Sequence, residues 1–221
     1  MFKLNGLFDS FDNLDQIDIN SLIPWLKPVP QAVSLENYLA NRILYPQSVP
    51  ISEPDMKIDL AILREALRIN GPKAQDTSSG LLGDNPFLNL TLRKILIPEG
   101  FLRFSPNLVS LTWAFVDGLL LTRRKSDMFQ DLWTIVLVDD TDEIAGSVIL
   151  PQFNSKNSVM DLSVSGKSYK IPSGSLMVVP CGKDRCEIAY KVVNGKVMGK
   201  AESALELYGG KLGIMVDGRL Q

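Results

Sequence analysis

A chain of 221 residues, 45% of them apolar and 22% charged, has the make-up of a globular protein that can bury its own core. Its 23 Lys and Arg against 25 Asp and Glu leave a net charge of -2. No basic field then recommends nucleic acid as a partner, and no apolar run reaches the about 18 residues that a membrane span needs. Histidine is absent, which excludes Ser-His-Asp and Cys-His mechanisms, histidine bases near neutral pH and most catalytic zinc sites as usually built.

The first segment, residues 1–33, is acidic and then proline-rich. In "SLIPWLKPVPQAV", Pro24, Pro28 and Pro30 block a regular helix or a central strand. The pattern predicts an extended arm whose Leu22, Ile23, Trp25 and Leu26 cover an apolar surface, either of this chain or of a partner. The start "MFKLNGLFDSFDNLDQ" has no charged region leading into a long apolar core, so a cytoplasmic location is expected.

A helical segment follows over 34–72. Ser34 is placed to cap a helix that buries Leu35, Leu39 and Ile43, with Val33 stapled onto Tyr38. Ser52 and Asp55 form a capping-box-like pair at the start of a second helix, with Pro54 near its first turn. That helix carries Met56, Leu60, Leu63 and Leu67 as a stripe, and Asn70-Gly71-Pro72 is expected to stop it near residue 69. Lys57, Asp59, Arg64, Glu65 and Arg68 read as a solvated face of mixed sign.

Residues 73–86, "KAQDTSSGLLGDNP", have the composition of a linker. Residues 87–221 then form a β-rich domain. It opens with the alternating "FLNLTLRKILIPEGFLRF" and one helix that Ser105 and Pro106 would start and that buries Leu108, Leu111, Phe115 and Leu119. From 134 to 219, β-branched runs alternate with turn clusters, which predicts six to eight strands in an antiparallel sandwich or small barrel. The fold class is α+β, with the one helix packed on the β domain.

The candidate chemistry is sparse. "DDTDE", with Asp140 and Asp142 at its centre, could gather Mg²⁺ or Ca²⁺, but it lacks the alternate spacing and the glycine of a calcium loop and reads as a hairpin turn. Gly209, Gly210 and Gly213 precede a strand rather than a helix, so they suit a tight turn or bulge and not a phosphate cradle. Asp217 and Arg219 flank Gly218 and read as a polar strand margin, and Lys167, Tyr169 and Lys170 as solvated strand residues. Cys181 and Cys186 could bridge a short hairpin, but reduced, partly buried thiols are the expectation in a cytoplasmic chain.

Several segments resemble the C-terminal part of the GlmL/MutL-type accessory proteins of glutamate mutase. "LIPWLKPVPQAVSLENYLANRILYPQSVPISEPDMKIDLAILREALRI" is similar to that family's Pro-Trp-Leu arm and following helices, and "ALELYGGKLGIMVDGR" to its terminal strand. The resemblance implies an actin-like ATPase relationship and an assisting role beside cobalamin-dependent mutases. Two departures bear on it. The first ATPase half has no counterpart here, and "IPEGFLRF" keeps only Gly100 where the family has a glycine-rich phosphate turn, between Glu99, which would repel phosphate, and the bulky Phe101. The expectation is therefore a non-catalytic interaction or assembly module that holds no cofactor and binds another protein chain or itself. Three rivals stand beside it: an accessory subunit completing an ATPase supplied by another chain, a carboxylate or metal-dependent enzyme, and a small-ligand barrel.

Overall fold

Ser52 and Asp55 open the longest helix of the computed structural model by capping each other. The Asp55 N–H donates to Ser52 Oγ at 3.3 Å, and the Ser52 N–H to Asp55 Oδ2 at 3.1 Å. The structure describes Phe11 and residues 13–78, 94–119, 131–138 and 143–219. The chain divides into two units, a helical one of residues 1–83 with 98–120 and a β one of residues 84–97 with 121–221.

In the helical unit the described part of the first segment, from residue 13 on, is not an extended arm. Asp18 accepts from the Asn20 N–H at 2.9 Å and so starts α1 (Ile19–Leu22), which runs into a 3-10 turn over Ile23–Trp25 with Pro24 in its first turn, where a missing N–H is tolerated. Leu22 and Leu26 are buried there. The next helix, α2 (Ala32–Leu44), begins two residues ahead of Ser34 and buries Leu35, Leu39 and Arg42. Val33 is 66% exposed and staples nothing.

The capped helix is α3 (Glu53–Ser78), which passes through Gly71 and Pro72 and takes up the first part of the expected linker. A proline inside a helix costs about 3 kcal/mol rather than forbidding it. Ile58 through Leu63 are buried without interruption, together with Glu65 and Ala66. A helix buried on so much of its circumference is the centre of its unit. After a 3-10 segment, Glu99–Phe104, comes α4 (Leu108–Gly118). Its N-cap is Asn107 rather than Ser105: Asn107 Oδ1 accepts from the Ser110 N–H at 2.8 Å. This helix was expected on the β domain but packs along α3. Gly118 makes the approach possible, because a Cβ there would lie 2.6 Å from Leu67 Cβ and 2.8 Å from the Arg64 carbonyl oxygen.

The β unit holds two facing sheets. The first has five strands in the order β1 (Lys94–Pro98), β2 (Leu132–Val138), β3 (Glu143–Ile149), β11 (Gly213–Asp217), β7 (Leu176–Val179). The second runs β10 (Glu202–Tyr208), β8 (Arg185–Val193), β5 (Val159–Val164), β6 (Lys167–Pro172), and β4 (Gln152–Phe153) pairs separately with β9 (Gly195–Lys196). Strict alternation along β5 and β8 sends Met160, Leu162, Val164, Ile188, Tyr190 and Val192 inward, onto Ile149, Val179, Ile214 and Val216 of the first sheet. The sheets face each other without closing into a barrel, which settles the choice between sandwich and barrel.

One pairing departs from the antiparallel expectation. β11 runs parallel to β3, from Gly213 opposite Gly146 to Val216 opposite Ile149, and antiparallel to β7 on its other side. A bulge in β3 puts Ala145 out of register against Ile135 and Val136, and its carbonyl accepts from the Leu212 N–H at 2.7 Å. That bond seats the Gly209-Gly210 turn, in which Gly210 and Gly213 take φ of 50° and 80°. All five residues of β11 are buried, the apolar run to Val216 and the terminal Asp217 alike.

Candidate functional site

The helical unit carries an open groove of about 430 Å³ built from three elements. Pro24, Trp25 and Lys27 come from the first segment, and Pro106, Asn107, Ser110 and Trp113 from the start of α4. The floor is one face of α3, Glu53, Lys57, Leu60 and Arg64, at the helical spacing of four, three and four. Two indoles and two prolyl rings give it flat apolar walls. Trp25 is 37% exposed, and the Arg64 guanidinium lies 4.9 Å from the centroid of its ring, a cation–π contact that fixes the indole's inner face.

The charges in and behind the groove are largely spoken for. Arg64 Nε donates to Asp117 Oδ2 at 3.2 Å, and Lys57 Nζ to Glu53 Oε1 at 2.8 Å. That ammonium holds the exposed Glu53 carboxyl below the usual carboxylate range. Lys27 makes no ion pair among the described residues and stands at the rim as an uncommitted cation.

Of the four residues expected to bind a partner, Leu22 and Leu26 are buried in the helical unit, Ile23 is half-buried, and Trp25 faces the groove. The expected contact surface therefore reduces to Trp25, because the turns Asp18 initiates roll the leucines inward.

The mixed-charge face of α3 is not solvated as expected. Asp59 is fully buried and Glu65 nearly so. Asp59 meets Arg42 of α2 in a two-pronged pair, Nε to Oδ1 and Nη2 to Oδ2, both at 2.8 Å, and Tyr38 donates to Oδ1 at 3.0 Å. Arg42 also donates to the Ser48 carbonyl at 2.7 Å and to the Ser48 hydroxyl, tying down the connection to α3. Burial pushes the Asp59 carboxyl up to about 6, against the pull of Arg42, and raises the Tyr38 hydroxyl as well. Sequence reasoning missed this pair. Its signal was a charge of opposite sign within each apolar stripe: Arg42 beside Leu35 and Leu39, Asp59 beside Leu60 and Leu63.

In the β unit, Asp217 is held by Arg219 through Nε to Oδ1 at 2.9 Å and Nη2 to Oδ2 at 2.6 Å, with the Arg219 N–H adding a bond to Oδ1 at 3.1 Å. The Asp217 carboxylate is wholly buried, and the pair closes the end of β11. Asp131, also buried, accepts from Gln152 Nε2 at 2.9 Å and from the Met198 N–H at 2.7 Å, which fastens the β4–β9 ribbon to the main sheet. Lys167 and Lys170 are exposed and Tyr169 half-buried, in line with solvated strand residues.

Asp140 and Asp142 lie outside the described residues. They fall between β2 and β3, an antiparallel hairpin, and Glu143 after them pairs with Lys211 at 2.6 Å. Among the described residues no group of three or more His, Cys, Asp or Glu gathers around one point. Nor is any described helix long and apolar enough to cross a membrane.

Cys181 and Cys186, expected as separate thiols, are joined as a disulfide with their Cα atoms 6.2 Å apart. The β7–β8 connection brings them into the usual range for a bridge. At "IPEGFLRF", Gly100 is exposed, and Phe101 turns inward to lie 6.2 Å, centroid to centroid, from Phe115. The Phe101 ring is part of the helical core. Comparison with protein-family models, curated proteins and solved structures finds no match to this chain.

Proposed function

We propose that the chain is a non-catalytic protein-interaction module, and that the Trp25–Trp113 groove seats an extended, proline-containing segment of a partner that also carries a carboxylate. The observation carrying this reading is the groove itself, with two indoles and two prolines lining it and Lys27 as the charge in it that has no ion pair among the described residues. Aromatic and prolyl walls suit polyproline II segments, which arrive already extended and lose little entropy on binding. A carboxylate beside the proline would meet Lys27 at the rim.

The placement of charge supports a non-catalytic role. Of the buried carboxylates among the described residues, Asp59, Asp131 and Asp217 are each engaged in holding the fold together, and Glu65 is paired with Arg68 three positions on in the same helix. The test is titration of a proline-rich acidic peptide against tryptophan emission. Saturable binding that is lost in Trp113→Ala and weakened in Lys27→Glu is expected. Absence of saturation, or binding indifferent to Trp113→Ala, overturns the reading.

A second reading, an accessory subunit completing an actin-like ATPase, is favoured by Pro24-Trp25-Leu26, the motif that carries the family likeness and of which Pro24 and Trp25 line the groove. It predicts ATP binding only once an actin-like chain is added. The proposal also keeps the chain in the cytoplasm; fractionation of cells that make it tests this, and recovery of the chain outside the cytoplasmic fraction overturns it.

A further inference from the structure

Cys181 and Cys186 bridge two strands that the chain already connects. Cys181 stands two positions past β7 of the first sheet, and Cys186 lies in β8 of the second, opposite Leu207, so the bridge spans the rim where the chain passes from one sheet to the other. A bridge that holds a fold together gains most from closing a long loop, and this one closes a separation of five residues. The sheets also meet through Met160, Leu162, Val164, Ile188, Tyr190 and Val192.

What the bridge touches is the Gly209-Gly210 turn. Cys181 Sγ lies against Gly209 and leaves no space for a side chain: a Cβ there would stand 2.5 Å from Cys181 Cβ and 2.7 Å from the Lys183 carbonyl oxygen. The Gly209 N–H donates at 2.8 Å to the Asp184 carbonyl, which belongs to the bridged loop. On the other side, a Cβ on Gly210 would lie 2.6 Å from the carbonyl oxygens of Ile144 and Ala145. The Gly213 N–H donates to the Gly209 carbonyl at 2.6 Å and so ties the turn to the start of β11. The turn is wedged between the bridge and the bulge of β3.

We infer that the Cys181–Cys186 bridge is a reversible thiol–disulfide switch, opened by a dithiol reductant, whose state the Gly209-Gly210 turn reads and passes to β11 and the β3 bulge. Cys181 is the sulfur that meets the reductant, being 9% exposed against 2% for Cys186. A thiolate of the reductant bonds to Cys181 Sγ, the disulfide bond breaks, and Cys186 leaves with the electron pair and takes up the proton that the attacking thiol gave up. The second thiol of the reductant then closes on the first and releases Cys181 as a thiol. Two electrons and two protons pass to the chain, and the reductant departs as a disulfide. The freed Cys181 S–H has its acceptor in place, since Sγ lies 3.1 Å from the Lys183 carbonyl oxygen. Separate thiols need more room than a bonded pair. Cys186 is fixed in the ladder between β8 and β10, so Cys181 and the 182–185 loop give way, and the Gly209 bond to Asp184 gives way with them.

The switch lies in the β unit and makes no use of the groove, so it stands or falls independently of the proposed partner segment. Amide exchange of the full chain, with and without dithiothreitol, is the measurement, and alkylation followed by mass spectrometry counts the thiols. Both cysteines should become alkylatable without denaturant. Releasing a loop of this length should raise the exchange rate at Gly209 by up to about fortyfold, from the loss of loop closure. The amide of Leu162, in the middle of β5, should keep its rate, and reoxidation with glutathione disulfide should restore protection at Gly209. Cys181→Ser combined with Cys186→Ala should exchange at the reduced rate and ignore the reductant; if that variant fails to fold, the wild type in its two states supplies the same comparison. Equal protection of Gly209 in both states overturns the inference. So does a bridge that opens only in denaturant, or acceleration of Leu162 together with Gly209, the result of a bridge that merely holds the unit folded.

Discussion

Arg42→Met and Asp59→Asn remove opposite halves of one buried pair, and the structure predicts unequal costs. Arg42→Met leaves Asp59, which is fully buried, with Tyr38 as its remaining side-chain donor. An uncompensated charge of this kind costs about 3–5 kcal/mol. Asp59→Asn leaves Arg42 its bonds to Ser48 and an amide oxygen at the same place. Burial has already raised the Asp59 carboxyl to about 6, so the fold holds the neutral form more readily than the unfolded chain does. The gap of about two pKa units from an ordinary aspartate is worth about 3 kcal/mol, and a neutral amide recovers much of it. Asp59→Asn is therefore expected to cost about 1 kcal/mol, and Arg42→Met combined with Asp59→Leu less than Arg42→Met alone. Urea unfolding followed at 222 nm reads the helical unit, which contains α1 to α4. Equal losses from the two single variants would refute the reasoning.

The same carboxyl sets a pH dependence. With the folded value near 6 and the unfolded one near 4, the native state keeps a proton that the unfolded chain releases, so this contribution is present below about pH 4 and is lost as pH rises through 6. Asp59→Asn should flatten the urea midpoint of the helical unit across that window, and an unchanged slope would count against the assignment. Gly118→Ala should lower stability by about 1–3 kcal/mol, since its methyl would collide with Leu67 and the Arg64 backbone; thermal melts decide it, and a neutral result would mean α4 shifts freely on α3. Asp131→Ala should cost about 1–3 kcal/mol by leaving the half-buried Met198 N–H and the Gln152 amide without their acceptor. Amide exchange at Met198 reports it, and protection equal to wild type would argue that another group takes over.

Some local signals in the sequence carried to the structure and others, the Ser34 and Ser105 caps among them, did not. Ser52 and Asp55 are three residues apart and cap each other whatever the rest of the chain does. Alternation along β5 and β8 was readable because a two-sheet core asks only that every second residue be apolar. The parallel placing of β11 was not, since β3 lies more than sixty positions away and the acceptor that seats the turn before β11 comes from a bulge at Ala145. Proline misled twice. Pro24 sits in a first turn that accepts it, and Pro72 lies inside a helix whose backbone continues past it. The groove was half legible: Trp25 could be singled out, but Trp113 reaches it only because α4 packs along α3 rather than on the sheets.

The position of β11 also bears on how the protein is made. A ribosome delivers β1, β2, β3 and β7 well before residues 213–217, yet β3 and β7 have no partner in common until that last strand slides between them. During translation both would offer bare edges to other nascent chains. The five-stranded sheet can be completed only after synthesis has passed Asp217, whereas the helical unit has all its described elements once Gly118 has emerged.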